Sequence, residues 1–330
     1  MSSKNNRRLQ YSLAINEALR QMMLLDKSVF LIGQGVKSPW YVGNTAKGLL
    51  EDFGPERVID TPVSENAVTG AAVGAAIAGM RPIVVHPRMD FMMYALDPII
   101  NEAANWHYMS GGRGSVPVVI WAIINRGSEQ AAQHSQALYA LFAHIPGLKV
   151  VMPSTPYDAK GLMISAIRDD NPVVYIDDRW LYTLEGEVPE KVYSIPIGKG
   201  IIRKRGKDVS LVATSYMVVE SMKASEDLKK DGIDVEVIDL RSIKPLDKKL
   251  LFESVRKTGR LVIADGGWKS CGLSAEILAT ISESGNPFKN IKAPIRRIAL
   301  PDTPAPASSN LEKAYYPDHR KIASTIRDLM

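Results

Sequence analysis

Residues 60–66 read Asp60-Thr61-Pro62-Val63-Ser64-Glu65-Asn66, and the run that follows, Ala67 to Gly79 (AVTGAAVGAAIAG), is nearly all Ala, Gly and β-branched residues. Val58 to Val63 reads as a short apolar strand, and Pro62 restricts how far it can continue. Gly70 and Gly74 stand four apart on the helix expected next, and a helix that small predicts close packing against another backbone. Arg81-Pro82-Ile83-Val84-Val85 then opens the following strand. The unit is expected deep in an α/β layer, with the carboxylate of Glu65 at the carboxyl end of a strand, where such sheets bind ligands. The plain alternative is that Glu65 only complements the dipole of the helix it begins.

Outward from this unit, strand-like and helix-like segments alternate along the whole chain. Val29 to Gly33, Arg57 to Val63, Ile83 to Val85, Val116 to Ile124, Lys149 to Met152 and Val173 to Ile176 form a first strand series. Val209 to Thr214, Val235 to Leu240, Leu261 to Ala264 and Ile295 to Leu300 form a second, with helices expected at Tyr216 to Lys230, Asp247 to Lys257 and Leu273 to Ser284. Between the two series, Leu184 to Pro196 is charged and proline-containing, a linker composition. The pattern predicts an α/β protein of two doubly wound, mainly parallel sheet domains, residues 1–188 and 189–330. The tail from Pro301 is proline-rich, and a last helix is expected from Asp318.

A chain of 330 residues can bury two cores, and 45% hydrophobic with 23% charged residues is ordinary for a soluble globular protein. The net charge of +5 comes from scattered Lys and Arg, the densest cluster being Arg203-Lys204-Arg205 with Lys207, so no nucleic-acid partner is expected. One cysteine, Cys271, excludes an internal disulfide and suits a reducing compartment. The start MSSKNNRRLQYSLAINEAL lacks an apolar signal core, and no apolar run has the length of a membrane span. The expected location is cytoplasmic, with no membrane partner.

The ordered set of segments resembles one family. DTPVSEN with AVGAAIAGMRPI, NEAANWHYMSGG at 101–112, AAQHSQ at 131–136, PGLKVVMPSTPYDAKGLMISAIRDDNPVV at 146–174, VEVIDLRSIKPLD at 235–247 and DGGWKSCGLSAEI at 265–277 carry the resemblance. They are similar to the transketolase superfamily of thiamine-diphosphate enzymes. Within it they resemble the beta subunit of the decarboxylating component of 2-oxoacid dehydrogenase complexes, which act on pyruvate or branched-chain oxoacids. The resemblance covers nearly the full length. It implies a transketolase-like pyrimidine-binding domain followed by a transketolase C-terminal-like domain.

Thiamine diphosphate reacts through a carbanion on its thiazolium ring and needs a carboxylic group against its aminopyrimidine, plus an aromatic face beside that ring. By the resemblance, Glu65 supplies the carboxylic group and Phe91 the aromatic face, with Gln34 also at the cofactor. His134 in AAQHSQ is the matching active-site histidine, a residue type that titrates near neutrality and can pass a proton to the acceptor. The segment Ser165 to Pro172 resembles the loop that holds a structural potassium ion, its ligands the carbonyls of Val118, Ala166, Asp169 and Asn171. A plain helix-ending turn is the alternative there. A Gly-Asp-Gly followed by paired Asn, the magnesium-diphosphate motif, does not occur in the chain. In two-chain members it lies on the alpha subunit. The resemblance therefore implies Mg2+ held mainly through an alpha-type partner, a heterotetramer, and a lipoyl-bearing acyltransferase as a further partner. The Gly70–Gly74 helix and the NEAANWHYMSGG segment are the expected contact surfaces.

Three stretches depart from the family pattern. Two acids commonly follow the first strand's glycine, whereas this chain has Gly33-Gln34-Gly35, and Gln34 can hydrogen-bond but cannot carry a proton. The glycine-rich stretch before AAQHSQ is replaced by Trp121 to Gln130. The acid, aromatic, small strand end is replaced by Val85-His86-Pro87-Arg88-Met89-Asp90. The leading expectation is a beta-like subunit that decarboxylates a 2-oxoacid and passes the acyl unit to a lipoyl carrier. The alternatives are the carboxyl half of a split transketolase-like or acyloin-forming enzyme acting on a sugar or aldehyde acceptor, with His86, Arg88 and Arg126 free to contact a hydroxylated or phosphorylated substrate, and a non-catalytic scaffold of the same fold.

Overall fold

A run such as Val119-Ile120-Trp121-Ala122-Ile123-Ile124, buried at every position, has no polar face to turn to water and must sit inside a sheet covered on both sides. The computed structural model, which describes residues 7–330, builds such a sheet in one of two compact units. That unit comprises the chain up to Asn125 together with Leu141–Ile197. Its strands are β1 (Arg8–Gln10), β2 (Val29–Gln34), β3 (Val58–Thr61), β4 (Arg81–His86), β5 (Val119–Ile124), β6 (Lys149–Val151), β7 (Val173–Asp178) and β8 (Glu185–Glu187). Six of these lie side by side, all parallel, in the order β6-β7-β5-β4-β2-β3. Each fully buried Ile or Val contributes about 1.5–3 kcal/mol relative to an exposed one.

The chain steps from β2 outward to β3, then crosses back to set β4 on the other side of β2. This reversal of strand order is the point at which parallel sheets open a crevice beyond their carboxyl ends. Gly33 makes the close approach of β2 to β4 there, because a Cβ at that position would fall 2.6 Å from the Val85 carbonyl oxygen. The helix Tyr11–Leu25 packs against the helix Pro156–Arg168, whose amino end is capped by Thr155 accepting from the Asp158 amide at 3.2 Å. Lys160 on that second helix is 0% exposed, and its ammonium is satisfied by Glu17 at 2.5 Å and by the carbonyls of Pro189, Glu190 and Lys191. These bonds tie residues 189–191 to the first unit.

The second unit holds Arg126–Ala140 and Gly198–Met330. Its strands are β9 (Ile201–Lys204), β10 (Val209–Ala213), β11 (Val235–Asp239), β12 (Ser242–Lys244), β13 (Leu261–Trp268) and β14 (Arg296–Leu300). Five of them run in the order β14-β13-β10-β11-β9, with β9 antiparallel to its neighbour β11. The helices Tyr216–Lys230 and His319–Arg327 pack together, and their apolar faces join the core at Val218, Leu228, Ile322 and Ile326.

The structure departs from the sequence reading at several elements. β3 stops at Thr61, short of the expected Val63, because Pro62 has no amide for the ladder, and Val63 is left exposed. The expected linker contains β8, which pairs with β1 as a small antiparallel sheet. A further helix, Ser309–Tyr315, lies within the proline-rich tail. Most consequential is the helix Glu65–Ile77. It buries Thr69, Ala72, Val73 and Ala76, but a Cβ added at Gly70 or Gly74 would meet nothing within 4 Å. The expected close backbone neighbour is not supplied by the described residues of this chain.

Candidate active site

Three of the residues singled out from sequence converge at one edge of the first unit's sheet. Gln34 ends β2, Glu65 begins the helix after β3, and Phe91 opens a 3-10 turn (Phe91–Ala95) after β4. Since β3, β2 and β4 are neighbours and parallel, all three residues stand at the carboxyl edge beside the reversal of strand order. Glu65, Gln34 and Phe91 are half-buried. Among the described residues, neither the Glu65 carboxylate nor the Gln34 amide makes a side-chain hydrogen bond or ion pair. Thr61, aligned with Gln34 across the β2–β3 ladder, has a buried hydroxyl without a partner. This edge therefore presents an acid, an amide and a hydroxyl with bonding capacity to spare, beside one aromatic ring. Such a donor set fits a heteroaromatic ring with polar edges.

The helix that carries Glu65 is fastened to the neighbouring strand by a contact with no sequence motif. Thr69, one turn beyond Glu65, meets Nε2 of His86 at 3.2 Å, and both residues are buried. Burial alone pushes the His86 imidazole down to about 4, so the ring is neutral at physiological pH. In the unfolded chain the ring binds a proton near its ordinary value of about 6.5, and in the folded chain it does not until about 4. Stability supplied by this group is complete above the unfolded value and falls as pH drops through the interval. The loss is on the order of 3 kcal/mol by the bottom of that window. His86→Gln, which keeps a partner for Thr69, should therefore flatten the pH dependence of the urea midpoint between pH 7 and 4.5 by up to one proton. An unchanged slope would show that the ring titrates normally when folded.

The candidate potassium loop also lies in the first unit. The Val118 carbonyl accepts from Val173 N at 3.0 Å, Ala166 O from Asp169 N at 3.3 Å, and Asp169 O from Arg81 Nη1 at 3.1 Å. Each carbonyl keeps a second lone pair, and Asn171 Oδ1 is a buried oxygen without a partner. All-oxygen donors of this kind fit a hard monovalent cation, although two fixed cations stand close by, the Arg81 guanidinium on the Asp169 carbonyl and Lys149 on the Asp169 carboxylate at 2.5 Å. Among the described residues, no three His, Cys, Asp or Glu side chains gather as a metal cluster.

His134 belongs to the second unit, in the segment 126–140. It is half-buried in a turn, its amide donating to the Ala131 carbonyl at 3.4 Å, and it precedes the helix Tyr139–His144 rather than starting it. The stretch before it holds Ser128, Glu129 and Ala131 in the left-handed region, at φ 54°, 59° and 59°. Glu129 pins this strained loop to the helix Ser309–Tyr315: its amide donates to Glu312 Oε2 at 3.1 Å, and its carboxylate accepts from Ser309 N at 3.0 Å. Five residues after His134 a buried pair holds the chain. The Tyr139 hydroxyl donates to Asp265, which also accepts from Gly267 N at 3.1 Å and Ser274 N at 2.7 Å. Burial, then the Asp265 charge, pushes the Tyr139 phenol well above its usual range, so it remains a donor. Arg126 donates to the Gly266 carbonyl at 3.3 Å.

The sequence reading passed over Thr61, the Thr69–His86 contact and the Tyr139–Asp265 pair. His86 alone was singled out, as a strand-end residue able to reach the substrate, whereas the structure buries it, 2% exposed, against Thr69.

Comparison with known proteins gives one consistent picture. Residues 7–183 match the transketolase pyrimidine binding domain and residues 198–322 the transketolase C-terminal domain. The chain is 46% identical to an acetoin:2,6-dichlorophenolindophenol oxidoreductase subunit beta of Cupriavidus necator, over 98% of both chains. It is 43% identical to a pyruvate dehydrogenase E1 component subunit beta of Rickettsia felis, covering 95% of this chain and 96% of that one. Among solved structures, a split-gene transketolase described as an inactive beta4 tetramer superposes with a TM-score of 0.77 at 23% identity. That match covers 97% of this chain and 98% of that one, a likeness of fold. No helix among the described residues is long and apolar enough to cross a membrane.

Proposed function

We propose, from the premise that this chain belongs to the family joining a transketolase pyrimidine-binding domain to a transketolase C-terminal domain, that it is the beta-type subunit of a thiamine-diphosphate-dependent 2-oxoacid dehydrogenase. The enzyme would decarboxylate a 2-oxoacid and pass the acyl unit to a lipoyl carrier. The observation that carries this reading is the meeting of Gln34, Glu65 and Phe91 at the carboxyl ends of three adjacent parallel strands. Thiamine diphosphate, when bound, supplies the nucleophilic carbon and the amine that deprotonates it.

The residues of this chain would act around that chemistry. Glu65 holds a proton against the pyrimidine edge, Phe91 packs on the ring face, and Gln34 hydrogen-bonds at the same edge. His134 gives a proton to the sulfur released as the lipoyl disulfide opens. In that transfer the S–S bond breaks, one sulfur takes the acyl group as a thioester, and the acyl carbon loses the two electrons that the disulfide gains. The loop of Val118, Ala166, Asp169 and Asn171 would hold a structural potassium ion. Mg2+ and the diphosphate fall mainly to an alpha-type partner, and the usual family assembly is a heterotetramer. The uncovered Gly70–Gly74 face and Tyr94, 72% exposed and bonded through its carbonyl to Asn66 of the same helix, support a second chain there.

The experiment is co-expression with an alpha-type partner. The assembled enzyme should bind thiamine diphosphate in the presence of Mg2+ and reduce an artificial dye when given a 2-oxoacid, and the chain alone should do neither. Complete Mg2+-dependent cofactor binding by the isolated chain in calorimetry would overturn the partner requirement. The similarity to an acetoin oxidoreductase subunit supports a second reading, in which the donor is an acyloin cleaved at its carbon–carbon bond. Offering acetoin beside pyruvate and a branched-chain oxoacid separates the two.

A further inference from the structure

The carboxyl edge of the first unit's sheet carries two arginines that no part of the function above employs. Arg88 lies two residues beyond β4 and Arg179 directly follows β7, the strands on either side of β5. Arg88 is in the turn that leads to Phe91, whose amide donates to the Arg88 carbonyl at 3.2 Å. The Arg179 guanidinium bonds to the Trp40 carbonyl at 3.3 Å and to the Tyr41 carbonyl, and stacks over the Tyr182 ring at 6.0 Å. Arg88 is in electrostatic reach of the same Tyr41 and Tyr182, as well as of Arg179 itself.

Both side chains are half-buried, and in each the Nε–H is fully buried with no hydrogen-bond partner. Arg88 makes one side-chain bond, from Nη1 to its neighbour Pro87 O at 2.9 Å. Among the described residues neither arginine has an ion-pair partner. Asp90 lies in electrostatic reach of Arg88 and Asp177 of Arg179, but Asp177 is buried, bonded by the Tyr182 hydroxyl at 3.1 Å, and pushed up to about 7 by that burial. Two half-buried guanidiniums at one sheet edge, in electrostatic reach of each other and short of hydrogen-bond partners, are costly unless an anion offsets their charge. A planar, forked donor pair is the arrangement that grips carboxylate or phosphate oxygens.

We propose that Arg88 and Arg179 form an oxyanion-binding subsite that reads an anionic group at the far end of the substrate, a phosphate or a second carboxylate. The inference rests on the thiamine-dependent reading for the word substrate. Its chemistry excludes the reacting carboxylate itself. That group must leave as neutral CO2, so cations gripping it would stabilise the ground state more than the transition state and slow the step. An oxyanion remote from the bond that breaks suffers no such conflict. It supplies binding energy that orients the reacting carbon. The substrate class is thus a 2-oxoacid, or another donor of the same enzyme, with a distal phosphate or carboxylate.

The test uses the co-purified enzyme in phosphate-free buffer, with chloride at matched ionic strength as the control. Millimolar inorganic phosphate or glutarate, each used as a probe, should raise the melting temperature by about 2–5 °C. A response to phosphate assigns a phosphorylated substrate, and a response to glutarate alone assigns a dicarboxylic one. Arg88→Gln and Arg179→Gln should each weaken the response at least 10-fold in apparent affinity. Arg179→Lys should restore part of it, and without added anion none of the variants should melt below wild type. Stabilisation by neither probe, or equal stabilisation of wild type and both Gln variants, would overturn the subsite. Thiamine diphosphate binding is measured on the same wild-type sample, so failure of the cofactor reading is scored separately.

Discussion

Glu65→Gln should lower turnover of the assembled enzyme by about 10²–10⁴-fold, the contribution of one positioned proton-transfer group. The substitution keeps size and shape at the first turn of the helix Glu65–Ile77. No intrachain bond of the carboxylate is lost among the described residues, so the change in folding stability should stay within about 0.5 kcal/mol. The defect should sit in cofactor activation. Hydrogen–deuterium exchange at the reactive carbon of bound thiamine diphosphate, followed by quenched NMR, should slow in parallel with turnover. The amide that replaces the carboxylate can still donate an N–H to a ring nitrogen, but it has no proton to transfer. If exchange in the variant matched wild type, Glu65 would be a helix-end charge and the proposed cofactor role would fall.

The contrast between legible and illegible features in this chain follows from what each feature depends on. β5 and β7 could be read because a central parallel strand is buried on both faces, which forces runs such as VIWAII and VVYI. β9 could not, since all four of its residues are half-buried at the sheet's antiparallel edge and show neither a continuous nor an alternating pattern. β1 and β8 are three-residue strands rich in charge, held by pairing rather than by burial. Glu65 was legible because a strand, a proline and a small-residue helix fix its place locally. Of the arginine pair only Arg88 was, as a cation just beyond a strand end. Arg88 and Arg179 come from turns far apart in the chain, and only the parallel order β7-β5-β4 brings them to one edge. The same holds for Tyr139 and Asp265, whose meeting depends on tertiary packing. The small residues Gly70 and Gly74 read as a packing signal, but among the described residues nothing packs on them.

His134→Ala should divide the reaction into its two halves. If the acceptor is a lipoyl group, the imidazole supplies a proton as the disulfide opens, a step that decarboxylation does not need. The variant should then retain 2-oxoacid-dependent reduction of an artificial oxidant, while acylation of a lipoyl domain falls by about 10²–10⁴-fold. His134 lies in a turn whose surroundings are fixed by the Glu129–Ser309 and Tyr139–Asp265 bonds, so loss of the ring leaves the loop's own supports in place. If the acceptor is an aldehyde or sugar, no lipoyl domain will be acylated even by wild type, and His134→Ala should raise the acceptor's KM instead. An equal loss of both half-reactions would contradict either role and make the ring a structural element. His134→Gln sharpens the distinction. It can hydrogen-bond but not donate a mobile proton, so it should restore acceptor binding in the sugar case and fail to restore thioester formation in the lipoyl case.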